Sequence, residues 1–225
     1  MTEQKRGRVN NSLLQPLERP TLAWLAARMP EWVTSDRLTC FGIFGSFVTF
    51  VGYGLTNWHH GFFLLASLGL VINWFGDSLD GTLARYRRRE RPRYGFFVDH
   101  TVDTFNELFI ILGIGLTAFV RFEVACLVLI VYLMISVYAF VRTAVTNTLQ
   151  ITIGIIGGTE MRVALLFLNA VMFVSTPASV VTLWAPLSIL DLVLLAGFTA
   201  ALVALATLII VESRRLAVED PPRQR

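Results

Sequence analysis

Residues 77–103 read DSLDGTLARYRRRERPRYGFFVDHTVD. The stretch sets four aspartates, Asp77, Asp80, Asp99 and Asp103, between two apolar runs, 61–76 before it and 105–120 after it. An ionisable group in or beside a bilayer is costly, so its presence there is a mark of function by default. Here two pairs of them flank small residues and a cluster of arginines.

The surrounding chain supports a membrane setting. Of 225 residues, 55% are hydrophobic and 16% charged, against about 45–50% and about 25% for soluble domains. Apolar blocks fall at 38–56, 60–76, 95–120, 122–145, 161–184 and 187–211, near the length of roughly 20 helical residues that spans a hydrocarbon core. The expected fold is an all-α integral membrane protein, with six transmembrane helices in one bundle over 37–212. Cys40 and Cys126 both fall in apolar blocks and are read as small buried hydrophobes rather than a disulfide or metal pair.

The net charge of +3 says little and gives no reason to expect nucleic acid as a partner; the placement of arginine says more. Lys5, Arg6, Arg8, Arg19, Arg28 and Arg37 precede the first block, and Arg85, Arg87, Arg88, Arg89, Arg91 and Arg93 follow the second. Arg142 and Arg162 flank the fourth connection, and Arg214, Arg215, Arg223 and Arg225 follow the last block. The other connections carry Arg121 alone. The positive-inside rule then places both termini and the aspartate-rich connection in the cytoplasm. The preference for arginine over lysine points to a bacterial inner membrane. Residues 1–36 read as a cytoplasmic tail, without the apolar core of a signal peptide, leading into an interfacial amphipathic segment with Trp24 and Trp32 at headgroup depth. Ser35 or Asp36 is the expected N-cap of the first span, and 154–158 reads as a break before the fifth. Residues 213–225 are expected as a disordered tail.

The chemistry starts from spacing. Asp77 and Asp80 are three apart and Asp99 and Asp103 four apart, so on helices each pair shares a face with Cβ atoms about 5–6 Å from each other. If the second span runs on through Ala84 and the third begins near Gly95, the pairs can face one another. Carboxylates crowded together repel or protonate. Hard divalent cations resolve that conflict, since oxygen ligands suit Mg²⁺, Mn²⁺ or Ca²⁺. Two such ions about 3.5–4 Å apart are the usual clamp for displacement at phosphorus. Gly81, Ala84 and Gly95 leave backbone bare for a close ligand. For Arg87 to Arg93, a solvated run near anionic headgroups is preferred to a specific phosphate role.

The pattern Asp77-x2-Asp80-Gly81-x2-Ala84-Arg85-x9-Gly95-x3-Asp99-x3-Asp103 resembles the full signature of the CDP-alcohol phosphotransferase (phosphatidyltransferase) family, with all eight fixed positions filled at the family spacing. The resemblance implies an enzyme that transfers a phospho-alcohol group from a CDP-linked donor to a hydroxyl acceptor and releases CMP. It implies that Asp77, Asp80, Asp99 and Asp103 hold two divalent ions, Mg²⁺ or Mn²⁺, and that Asp103 is also the general base. It implies that Gly81, Ala84, Arg85 and Gly95 line the donor pocket, and that the protein is a homodimer. Gly42, Gly45, Gly113 and Gly115 are small residues that would permit close contact between helices.

His100, beside Asp99, is named as a catalytic residue with Asp103, because the choline/ethanolamine branch carries a similar Asp-His pair; a packing role is weighed equally. Asn106, Glu107, Arg142, Glu160 and Arg162 are candidates for lining the acceptor or supporting the site, with interhelical contact and helix capping as the plain alternatives. Asn73, four residues before Asp77, shares its face. The donor is either CDP-diacylglycerol, with a small polar alcohol as acceptor, or a CDP-amino-alcohol, with a lipid acceptor. The competing function is a polytopic cation or proton transporter with the aspartates as ion ligands. Transport sites lie near the membrane midplane, whereas these aspartates sit at the ends of spans beside an arginine cluster.

Overall fold

The structure is a computed structural model that describes residues 14–146, 157–177, 179–181 and 186–221. In chain order the elements are α1 (Gln15–Arg28), α2 (Ser35–Leu55), α3 (Phe62–Tyr86), α4 (Pro92–Gly115), α5 (Phe122–Thr146), α6 (Gly158–Val174), β1 (Ser179–Val181), β2 (Pro186–Ser188) and α7 (Ile189–Glu219).

Four helices, α2, α3, α5 and α7, are long and apolar enough to cross a membrane. The other two expected spans fall short on composition or length. Helix α4 carries Arg93, Asp99, Asp103 and Glu107 along one rod, and α6 has 17 residues. The block expected at 161–184 stops being helical after Val174. Beyond it, β1 pairs antiparallel with β2, Ser179 opposite Ser188, a three-residue ladder in the connection to α7 of an otherwise all-helical fold.

Helices α2 and α3 form the closest pair because their shared face is nearly bare of side chains. A Cβ on Gly45, Gly69 or Gly76 would fall on the backbone of the facing helix. Small residues let two backbones approach in this way. Gly42 lies against the Asn73 carbonyl and the Asp77 amide, Gly113 against Phe50 and Tyr53 of α2, and Gly115 against Ala125 and Phe122 of α5. All four glycines singled out for helix contact are therefore used within the protomer. Helix α2 also packs on α4, whereas α3 and α4 touch each other sparingly, which leaves a gap between the helices that carry the two aspartate pairs.

Helix α2 begins one residue earlier than expected: Thr34 is the N-cap, its hydroxyl accepting from Arg37 N at 3.3 Å. Cys40 faces outward and Cys126 is half-buried, because α2 turns its small and polar residues, not its apolar ones, toward α3 and α4. Helix α7 continues to Glu219, so residues 213–219 are helical rather than disordered; Arg215 pairs with Glu219 at 2.8 Å and with Glu212 at 3.7 Å, one turn away on either side. Of the expected break at 154–158, only Gly157, the N-cap of α6, and Gly158 lie among the described residues.

The N-terminal segment is one helix. Pro16 falls in the first turn of α1, where a missing N–H costs nothing. Leu22 and Ala26 pack with Leu38, Leu79 and Leu83, which fixes α1 across the ends of α2 and α3. Glu18 completes the attachment: one carboxylate oxygen accepts from Trp74 Nε1 at 2.9 Å and from the Thr159 hydroxyl at 2.8 Å. At the far end, the wholly buried Asp191 caps α7 by accepting from Ser188 N and ties it to the α4–α5 connection by accepting from Arg121 N.

Candidate active site

The ends of α2, α3 and α6 and the first half of α4 converge beneath α1. Helix α3 carries Asp77 and Asp80 within its last turns and runs on to Tyr86, and α4 starts at Pro92 with Asp99 and Asp103 one turn apart. The charges of Asp77 and Asp99 each act on both Asp80 and Asp103. The two pairs thus form one cluster.

Each carboxylate is held differently. Asp80 is buried; its Oδ2 accepts from the Thr39 hydroxyl at 2.6 Å and its Oδ1 from the Gly81 amide. Ser35, one turn before Thr39, donates to the Asp80 carbonyl at 3.0 Å. Asp77 Oδ2 accepts from Arg162 Nη2 at 2.7 Å. Asp99, His100 and Asp103 bring one ligand atom each within 4.8 Å of one another. A set of carboxylate oxygens with one neighbouring imidazole, close enough to repel unless a cation joins them, fits a hard divalent ion.

The His100 ring sits between Phe96 and Phe140, at 4.4 and 5.4 Å between ring centroids, with Nδ1 3.9 Å from Asp103 Oδ2. It also lines a recess of about 320 Å³ with Phe96, Phe97, Thr101, Thr104 and Phe140.

The small residues divide into two kinds. A Cβ on Gly95 would meet nothing within 4 Å, and one on Gly81 would touch only the movable end of Arg85, at 3.3 Å. Packing does not require glycine at either place, in contrast to the α2–α3 contact. Ala84 is half-buried on the same turn, and Arg85 is exposed with Nη2 donating to Thr82 Oγ1 at 3.1 Å.

The remaining candidates separate as follows. Arg162 joins the cluster through Asp77, and Glu107 lies within the field of Arg162 and Asp77. Asn106 is buried and accepts from the Ser46 hydroxyl at 2.8 Å. Glu160 accepts from Gly157 N at 3.0 Å and from Leu14 N at 2.8 Å, so it caps α6 and holds the start of α1. Arg142 pairs with Glu212 of α7 at 3.3 Å and lines the groove between α5 and α7.

Arg87 departs from the solvated role expected for the arginine run. Its guanidinium donates to the carbonyls of Met29, Pro30 and Val33, with Glu31 O at the margin of contact. It fastens the α1–α2 connection to the end of α3. Thr39 and Ser46 escape a reading based on motif spacing, but a signal for them exists. Ser35, Thr39, Gly42, Ser46 and Thr49 recur at helical spacing within an otherwise apolar span, a polar stripe that had to face something other than lipid.

Residues 27–211 match the family model for CDP-alcohol phosphatidyltransferase, and the chain belongs to that family. It is accordingly a membrane transferase of phospholipid synthesis, moving a phospho-alcohol group from a CDP-linked alcohol. An archaetidylinositol phosphate synthase of Pyrococcus horikoshii is 32% identical over 66% of this chain and 73% of its own length. Cholinephosphotransferase 1 of Danio rerio is 26% identical over 82% of this chain and 48% of its own length. The same enzyme of Gallus gallus is 31% identical over 45% of this chain and 32% of its length. The chain thus spans about half or less of the two cholinephosphotransferases.

Proposed function

We propose that the cluster on α3 and α4 catalyses attack of an acceptor hydroxyl on the alcohol-bearing phosphorus of a CDP-alcohol. The new bond joins the acceptor oxygen to that phosphorus, the pyrophosphate P–O bond breaks, and CMP leaves. Asp103 accepts the hydroxyl proton, with His100 assisting from 3.9 Å. Asp77, Asp80, Asp99 and Asp103 hold two divalent ions, Mg²⁺ or Mn²⁺, which when bound neutralise and orient the donor pyrophosphate. Gly81, Ala84, Arg85 and Gly95 accommodate the donor. The observation that carries this reading is that Asp99, His100 and Asp103 bring one ligand atom each within 4.8 Å of one another, near Asp77 and Asp80 and beside two glycines that packing does not explain.

The favoured donor is a CDP-amino-alcohol and the favoured acceptor a lipid hydroxyl. The recess beside His100 is walled by Phe96, Phe97 and Phe140, and Arg142 and Arg162 are each engaged by a carboxylate rather than grouped around a space for an acceptor phosphate. Transfer from a CDP-linked lipid to a small polar alcohol is the second reading, favoured by the likeness to a synthase of archaetidylinositol phosphate. Asn106 and Glu107 border the acceptor side in either case. The protein works as a homodimer in a bacterial inner membrane, with six spans over 37–212, both termini cytoplasmic and the site at the cytoplasmic face.

The deciding experiment is CMP release by the full chain in lipid–detergent micelles with Mg²⁺. CDP-choline, CDP-ethanolamine and CDP-diacylglycerol would each be tested with diacylglycerol and with small alcohols. CMP formed only from CDP-diacylglycerol would overturn the favoured direction, and no CMP from any CDP-alcohol would overturn the reaction.

A further inference from the structure

Behind Asp77 lies a chain of buried hydrogen bonds that runs from Arg162 to Asn106. Arg162 Nε donates to Asn73 Oδ1 at 2.7 Å, and Asn73 Nδ2 donates to Ser46 Oγ at 2.8 Å and to the Gly42 carbonyl at 3.1 Å. Ser46 Oγ then donates to Asn106 Oδ1 at 2.8 Å. Asn73 and Ser46 are 0% exposed and Asn106 2%. Ser46 accepts from Asn73, and its single proton has the Asn106 amide oxygen at 2.8 Å as its nearer acceptor, with the Gly42 carbonyl at 3.5 Å.

Asn73 and Asp77 are four residues apart on α3 and therefore stacked on one face. One edge of a guanidinium, with Nε and Nη2 pointing the same way, spans both: Nε to Asn73 and Nη2 to Asp77. Lysine, a point charge on a flexible stem, could not make this bridge. Arg162 is itself largely buried, with a side chain 14% exposed. Its charge compensates the acidic cluster, and the Asn73 contact tethers it beside Asp77.

We propose that Asn73 is a positioning residue of the metal site, fixing Arg162 so that its guanidinium competes with a divalent cation for Asp77 and holds down the affinity of the site. The inference rests on the two-metal reading above. A carboxylate engaged by a guanidinium still has lone pairs to offer, so the arginine weakens cation binding without excluding it. Ser46 and Asn106, from α2 and α4, hold the Asn73 amide in the orientation that presents Oδ1 to Arg162.

The test is a Mn²⁺ titration of the full chain in lipid–detergent micelles, with free Mn²⁺ read by electron paramagnetic resonance. Arg162→Gln is expected to bind Mn²⁺ about tenfold more tightly, and Asn73→Ala about threefold more tightly, as for directly coupled neighbours. The double variant should match Arg162→Gln alone, because Asn73 acts only through the arginine. Damage to the fold would lower affinity, so a rise is a result that a merely structural role does not give. Asn73→Ala with wild-type affinity, or with its full effect retained in the Arg162→Gln background, overturns the proposal. If Asn73→Ala does not fold, Ser46→Ala, which leaves Asn73 in place, should tighten binding by about twofold, and unchanged affinity there overturns it equally. Failure of the wild-type chain to bind Mn²⁺ is a separate outcome, which removes the two-metal reading and this inference with it.

Discussion

Arg162 Nη2 meets Asp77 Oδ2 at 2.7 Å across 85 positions of sequence. The contact joins the start of α6 to the aspartate end of α3, and with it the α1 clamp formed by Glu18 and Glu160. Helix α6 is thereby a wall of the candidate site rather than a peripheral span. Residues beyond the signature, in the second half of the chain, set the charge balance of the signature itself.

Chelation should abolish turnover. With EDTA in excess, CMP release is expected to fall to background and to return when Mg²⁺ or Mn²⁺ is restored. Undiminished release in EDTA would remove the metal assignment of the four aspartates.

Replacing Asp103 with Asn keeps size and polarity but removes the proton acceptor. Turnover is expected to drop by about 10²–10⁴-fold, the usual worth of a general base. Loss of a metal ligand would add to this. The protein should still elute as the wild type does on size exclusion, and near-normal CMP release would refute the base assignment.

Gly95 and Gly76 should respond in opposite ways to a larger side chain. Open space surrounds a Cβ at Gly95, so Gly95→Leu is expected to leave thermal stability within about 0.5 kcal/mol while raising the KM for the donor. Gly76→Leu drives a side chain into the α2 backbone and should abolish stable expression. Unchanged donor KM in Gly95→Leu would remove the glycine from the donor pocket.

Arg87→Ala leaves the carbonyls of Met29, Pro30 and Val33 without their donor. Bonds to a charged donor contribute about 1.5–3 kcal/mol each where they are sheltered. Partial exposure here reduces that to an expected total loss of about 2 kcal/mol. Limited proteolysis between α1 and α2 should accelerate, and wild-type resistance would show that the connection is held by other contacts.

Arg88 has φ of 55° at the end of α3. Arg89 N bonds back to Ala84 O at 2.9 Å and Arg88 N to Arg85 O at 3.1 Å, the turn that usually places glycine at this position. Arg88→Gly should therefore stabilise the protein by about 1 kcal/mol, seen as a higher unfolding temperature. A fall in that temperature would mean that the Arg88 side chain makes a contact of greater worth.

Much of the candidate site was legible because its residues are paired locally. Three- and four-residue spacing puts Asp77 with Asp80 and Asp99 with Asp103 whatever the rest of the chain does, and the apolar blocks of α2, α3, α5 and α7 announce themselves by composition. The distribution of arginine was less informative than it looked. Arg87 and Arg88 belong to the geometry of a turn, where side-chain charge and backbone angle matter separately. The N-terminal segment reads as amphipathic, but the face it buries was not legible: α1 forms with Pro16 in its first turn and Pro20 inside it, and Leu22 and Ala26 meet Leu38, Leu79 and Leu83.

The amino-acid sequence by itself carried the membrane setting, in its composition, and the signature that resembles the family, whose four aspartates are paired by spacing within each of two helices. Only the tertiary structure decided that Thr39 holds Asp80, that Arg162 holds Asp77 through a guanidinium fixed on Asn73, and that Glu160 and Arg142 are engaged elsewhere. These pairings depend on which faces of separate helices meet. For Thr39 and Asp80 that choice is made by the glycines that let α2 and α3 touch backbone to backbone, and spacing along the sequence does not encode it.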